Sequence, residues 1–269
     1  MTSAQVKQSP AGVAGAVTDT ARLSAEELTF AGADGAEING YLARPSDAGS
    51  HPAMIVIHEA MGLNEHIRDI CNRLANIGYA ALGVDLYTRE GGPPPLDDRE
   101  AMMKRLFAIS DATVLGDLEG AAAYLRARPD TTGRVGCIGF CMGGRYTLLF
   151  ACSSENVDAA VDCWGGFIDK ATPDERSTPV RPTPPLELAE GLKCALLAAV
   201  GEEDVNPSPA IAAQLRAHAE KSGLEVKVDI YQGAGHAFFA DYRPTYRPLP
   251  AAELWEQIVP FLAEHLGHG

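Results

Sequence analysis

Residues 134–149 read RVGCIGFCMGGRYTLL. Arg134–Gly139 is a short apolar run containing Val135 and Ile138, as suits a strand buried on both faces. From Met142 to about Cys152 the spacing is helical. Between the two lies Gly139-Phe140-Cys141-Met142-Gly143-Gly144. This is a G-x-S-x-G pattern with sulfur in place of oxygen, at a strand-to-helix turn. Glycines belong there because neighbouring chain passes too close for a Cβ. The turn projects the central side chain into a cleft, and the following helix N-terminus favours a thiolate. The amide of Met142 points where an oxyanion would form. The alternative for such a residue is a buried structural cysteine, and Cys137 on the strand fits that description.

Outward from this stretch the same alternation repeats. Glu37–Arg44, Ala53–His58, Tyr79–Tyr87, Val157–Trp164, Cys194–Gly201 and Glu225–Tyr231 read as strands. Helical spacing covers residues 64–77, 99–127, 207–221 and about 250–266. The stretch 91–95, GGPPP, is a loop, and residues 165–192, with five prolines, form a long excursion. Buried strands alternating with helices imply a mostly parallel central sheet with helices on both faces. With no internal repeat, the expected organisation is a flexible extension over 1–24 and one α/β domain over 25–269.

Reactive groups in such sheets gather beyond the carboxyl ends of the strands. Three arrive there in the order nucleophile, acid, histidine: Cys141, then Asp204 in Gly201-Glu202-Glu203-Asp204, then His236 in Gly233-Ala234-Gly235-His236. Glu202 and Glu203 compete for the acid position; Asp204 lies furthest along the loop. Glu59 ends the strand at 53–58, where a carboxylate needs a partner or a cleft. The neighbouring amide of Ala60 is placed to be the second oxyanion donor. Arg89, past another strand end, is either a cation for an anionic group or a solvated surface arginine. Tyr87, Phe238, Phe239, Tyr242 and Trp164 are candidates to line a pocket or simply to fill the core. His58-Glu59 does not complete H-E-x-x-H, because position 62 is Gly62, so no metal site is expected.

The net charge of −14 disfavours nucleic acid and anionic membranes as partners. No apolar run reaches transmembrane length. The N-terminus lacks the layout of a signal peptide. Six scattered cysteines without C-x-x-C spacing suit reduced thiols in a cytoplasmic protein. Oligomeric state is left open between monomer and homodimer.

Taken together, His58-Glu59-x-x-Gly62-Leu63-Asn64, Asp85-Leu86-Tyr87-x-Arg89, Gly139-Phe140-Cys141-Met142-Gly143-Gly144, Gly201-x-x-Asp204 with Pro207, and Ala234-Gly235-His236-x-Phe238 resemble the dienelactone hydrolase (carboxymethylenebutenolidase) family. The resemblance spans about residues 35 to 266 and implies an α/β-hydrolase fold without a cofactor. It implies a triad of Cys141, Asp204 and His236, with Glu59 helping to activate the thiol and Arg89 holding a substrate carboxylate. The reaction implied is hydrolysis of an anionic enol lactone, 4-carboxymethylenebut-2-en-4-olide, to maleylacetate, a step of chloroaromatic degradation. One departure bears on that substrate. The best-known members carry an arginine four residues after the histidine, where this chain has Ala240; Arg243 and Arg145 are the candidates to replace it. A carboxylesterase with another substrate, a non-catalytic ligand-binding protein and a redox-sensing thiol protein are the competing readings.

Overall fold

The computed structural model describes residues 1–95 and 97–267. A nine-stranded sheet runs through it: β1 Thr2–Ala4, β2 Leu23–Ala31, β3 Glu37–Pro45, β4 His51–Ile57, β5 Ala80–Val84, β6 Thr131–Phe140, β7 Ala159–Cys163, β8 Ala195–Gly201 and β9 Val226–Tyr231. The helices are α1 Glu65–Asn76, α2 Arg99–Ala108, α3 Asp111–Arg126, α4 Met142–Ser153, α5 Pro185–Leu188, α6 Pro209–Ala219 and α7 Pro248–Leu266. The order across the sheet is β1-β2-β3-β5-β4-β6-β7-β8-β9. Pairing is antiparallel through β1, β2, β3 and β5, and parallel from β5 through β4 to β9.

The central strands are continuous apolar runs because both faces are covered. Every residue of β4, β5, β7 and β8 is buried. One face packs on α3, α4 and α6, through Leu118, Leu148 and Leu215; the other packs on α1 and α7, through Ile70, Leu74 and Leu254. Helix α1 shows how locally this is encoded. Asn64 caps it by accepting from Ile67 N at 3.0 Å, and Ile67, Ile70, Cys71 and Leu74 form the buried stripe. Strand order reverses between β4 and β6, so their carboxyl ends adjoin and open a crevice.

Two expectations are corrected. The periodicity over 99–127 breaks at Ile109-Ser110, giving α2 and α3. A contact from far along the chain fixes the break: Asp111 N donates to Val180 O at 2.9 Å. Residues 1–24 are not a free extension. They pair as β1 with β2, begin β2 at Leu23, and lie across α1. Ser9 Oγ donates to Asp69 at 2.6 Å, Arg73 donates to Ala14 O at 3.1 Å, and Val17 is wholly buried. The Trp255 ring occupies the place where Gly15 would carry a Cβ. No helix among the described residues is long and apolar enough to cross a membrane.

Candidate active site

Cys141 stands between β6 and α4 with φ 55° and ψ −110°, a conformation costly for a residue with a Cβ. Close approach sustains it. A Cβ on Gly143 would collide with the carbonyls of Ile57 and His58, and one on Gly139 with the carbonyl of Gly143. Main-chain bonds hold the turn: Cys141 N donates to Cys163 O at 3.0 Å, and Gly166 N and Arg145 N donate to Cys141 O. Beneath it, Asp162 is buried without a counter-ion among the described residues and accepts from Gly165 N at 2.8 Å; burial pushes its carboxyl up to about 7 against that bond.

Asp204 follows β8 and His236 follows β9. His236 Nδ1 lies 2.8 Å from Asp204 Oδ2, while Asp204 Oδ1 accepts from Asn206 N at 2.8 Å. Both carboxylate oxygens are thus engaged and the imidazole is fixed. His236 and Cys141 line the same cavity. Burial works to lower the imidazole pKa, but the neighbouring Cys141 sulfur and the Asp204 carboxylate raise it to about 10. Of the competing acids, Glu202 accepts from Gly233 N at 3.0 Å and Glu203 is exposed, so neither reaches His236. Sequence reasoning did not find Asn206, whose side chain also accepts from Phe167 N at 2.8 Å and ties the acid loop to the excursion after β7.

Glu59 is almost fully buried at the end of β4 and faces the same cavity, of about 370 Å³, as Cys141, Asp204 and His236. Arg243 donates to Glu59 Oε2 at 2.6 Å, and the Tyr242 hydroxyl donates to Oε1. Arg243 therefore occupies the place beside Glu59, and it lines the same cavity as Cys141. Ala240 is buried core. Arg145 lines the cavity but is committed to Asp111 through two bonds of 2.9 and 3.0 Å. Arg181, from the Pro-rich excursion, lies against the same cavity and donates to the carbonyls of Ala171 and Leu106.

Ala60 and Met142 both line the cavity, and neither amide donates to another group among the described residues. The Ala60 loop is positioned from behind. His58 Nε2 accepts from Leu86 N at 3.0 Å, which leaves Nδ1 to donate to Glu59 O at 2.6 Å. Burial keeps His58 neutral, holding it below the ordinary histidine range. Tyr87 donates its hydroxyl to Ala60 O at 2.9 Å. It is a support of the loop, wholly buried, rather than a pocket wall. Phe238 is likewise core, packed on Trp164 and Tyr231 at centroid distances of 4.8 and 5.1 Å. Arg89 points away from the cavity and is held by Asp34 at 2.7 Å and Asp117 at 2.6 Å. These three residues do not join the site, because their partners come from elements that spacing alone does not place.

All six thiols are free, and all but Cys141 are buried. Burial pushes Cys152 and Cys194 up to about 12 and Cys137 and Cys163 well above the ordinary range.

Residues 38–266 match the model of the "Dienelactone hydrolase family". A "Putative carboxymethylenebutenolidase" of Methylorubrum extorquens is 34% identical over 243 residues, covering 90% of this chain and 81% of that protein. A "Probable 2-oxo-3-(5-oxofuran-2-ylidene)propanoate lactonase" of Bradyrhizobium is 30% identical over 236 residues, covering 87% and 92%. The crystal structure of a "Putative Dienelactone Hydrolase" from Klebsiella pneumoniae superposes with a TM-score of 0.83 at 31% identity, covering 90% of this chain and 99% of that one. The fold is thus shared with these relatives, and this chain belongs to the dienelactone hydrolase family, ester- or lactone-cleaving hydrolases of α/β-hydrolase fold.

Proposed function

We propose that the chain hydrolyses activated esters or lactones through a thioester on Cys141, with the anionic dienelactone as the leading substrate. The observation that carries this reading is the His236 imidazole, bonded to Asp204 at 2.8 Å and lining one cavity with Cys141. The Cys141 thiolate attacks the carbonyl carbon, forming a C–S bond while the carbonyl electrons move to oxygen. The amides of Ala60 and Met142 receive that oxyanion. Collapse of the intermediate breaks the C–O bond and releases an enolate or phenolate, to which the His236 imidazolium can give its proton. Neutral His236 then takes a proton from water as the water attacks the thioester, and the thiolate leaves. Arg243 neutralises Glu59 beside the sulfur and is the cation placed to meet a substrate carboxylate, the role that Arg89, turned away, does not fill. The lactonase name of the Bradyrhizobium relative supports an unsaturated lactone carrying an acid.

A thiolate is a good leaving group as well as a good nucleophile, so poor leaving groups return to reactants. The test is the loss of dienelactone absorbance and of p-nitrophenyl acetate with Cys141→Ala as control. Both rates are expected to fall by at least about a thousandfold, the usual loss when a triad nucleophile is removed. Dienelactone turnover unaffected by Cys141→Ala would remove the thioester route. Cleavage of the aryl ester alone would keep the route and discard the named lactone.

A further inference from the structure

Helix α2 is packed unlike the other long helices: of its ten residues only Leu106 is fully buried. Arg99, Met102, Met103 and Leu106 nevertheless all line the site cavity. Their spacing is i, i+3, i+4, i+7, a single stripe down one helix face. Met61, beside the oxyanion amide of Ala60, and Met142, next to Cys141, line the cavity as well. Four of the six methionines in the chain thus surround one small volume. Met61, Met102 and Met103 are only half-buried, so they are not gap-fillers of a sealed core. Unbranched thioether side chains make a wall that adapts to flat or extended apolar groups.

Sheet order says which part of a substrate meets this wall. Cys141 follows β6; Asp204 and His236 follow β8 and β9 on one side of it, whereas Met61 and α2 follow β4 and β5 on the other. A leaving group departs toward its proton donor, His236. The acyl group therefore extends the opposite way, along the stripe of α2. We infer that α2 is an acyl-binding wall and that, among activated esters, the preferred ones carry an extended apolar acyl group, larger than the four-carbon unsaturated acyl unit of the dienelactone. Met102 and Met103 set this selectivity, and the aliphatic stem of Arg99 continues the wall to the solvent. This inference rests on acyl transfer to Cys141 as proposed above.

The experiment holds the leaving group constant and varies the acyl group: p-nitrophenyl acetate, hexanoate and cinnamate, on the full chain. Each buried methylene contributes about fourfold, so kcat/KM for hexanoate should exceed that for acetate by at least about tenfold. Met102→Gln with Met103→Gln keeps side-chain length and helix propensity but not the apolar surface, and should cut that ratio at least about fivefold. Met102→Leu with Met103→Leu should restore it. Circular dichroism and thermal melts confirm that the variants remain folded. A wild-type ratio near one, or a double variant that slows acetate and hexanoate equally, overturns the acyl wall. Ester cleavage that survives Cys141→Ala overturns the thioester reading beneath it, so the two failures are told apart.

Discussion

His236 carries the sharpest consequence of the site's electrostatics. Its imidazolium is retained up to about pH 10 because the sulfur and Asp204 outweigh the burial that opposes the charge. The pair therefore stabilises the fold most below the ordinary histidine pKa of about 6.5, and this contribution is lost as pH rises through about 10. Without the imidazole that serves the sulfur as its base, alkylation of Cys141 by iodoacetamide should slow by about tenfold or more in His236→Asn. An unchanged rate would mean that His236 does not activate the sulfur. The five other thiols, buried and shifted upward, leave this reading uncluttered in the folded protein. That Cys141, Asp204 and His236 come together at one cavity was legible in the sequence because each is tied to a strand end, and strand ends are what apolar periodicity marks best. Arg89, Tyr87 and Phe238 were misplaced because a side chain's direction depends on partners such as Asp34, Asp117 and Ala60. Tyr242 gave no sequence signal as a partner of Glu59, and Arg243 only the hint of a missing arginine at position 240.

Elements packed without clearance should be the least tolerant of added atoms. At Gly120, on α3, a Cβ would run into the carbonyl of Ala31 and the Cα of Gly32, main-chain atoms that cannot rotate away. Gly120→Ala ordinarily favours a helix, yet here it should destabilise by about 1–3 kcal/mol, the range for overpacking. Urea unfolding measures this, and a gain in stability would show that α3 can shift off the β2–β3 corner. The substitution is far from the turn at Cys141, so specific activity of the folded fraction should persist. Residues 99–127 carry one continuous helical period, and no proline or glycine marks the stop at Ile109-Ser110. The break is made by Val180 and by the Asp111–Arg145 pair, a tertiary demand that overrides local propensity.

Across the whole molecule, the alternation of buried strands and helices was enough to read a mostly parallel sheet, and the chain builds one. What composition concealed was the N-terminal segment. MTSAQVKQSPAGVAGAVTDT is small, polar and rich in loop-forming residues, yet it supplies β1 and buries Val17. It is ordered by surfaces it meets rather than by its own pattern: the edge of β2, the Asp69 and Arg73 side chains of α1, and Trp255. Removing residues 1–18 exposes that surface and takes away a fully buried valine, worth about 1.5–3 kcal/mol by itself. The melting temperature should fall by about 5–10 °C. A truncated chain that melts with the wild type would mean that the segment contributes nothing to stability.

The seat of Gly15 against Trp255 also orders events in time. Gly15 is made well before Trp255. β1 can pair with β2, and the segment can settle on α1, while synthesis continues, but the seat of Gly15 lacks its tryptophan until α7 has emerged and packed. Through that interval the Gly15 turn is held by its earlier neighbours alone, and the arrival of α7 closes the seat.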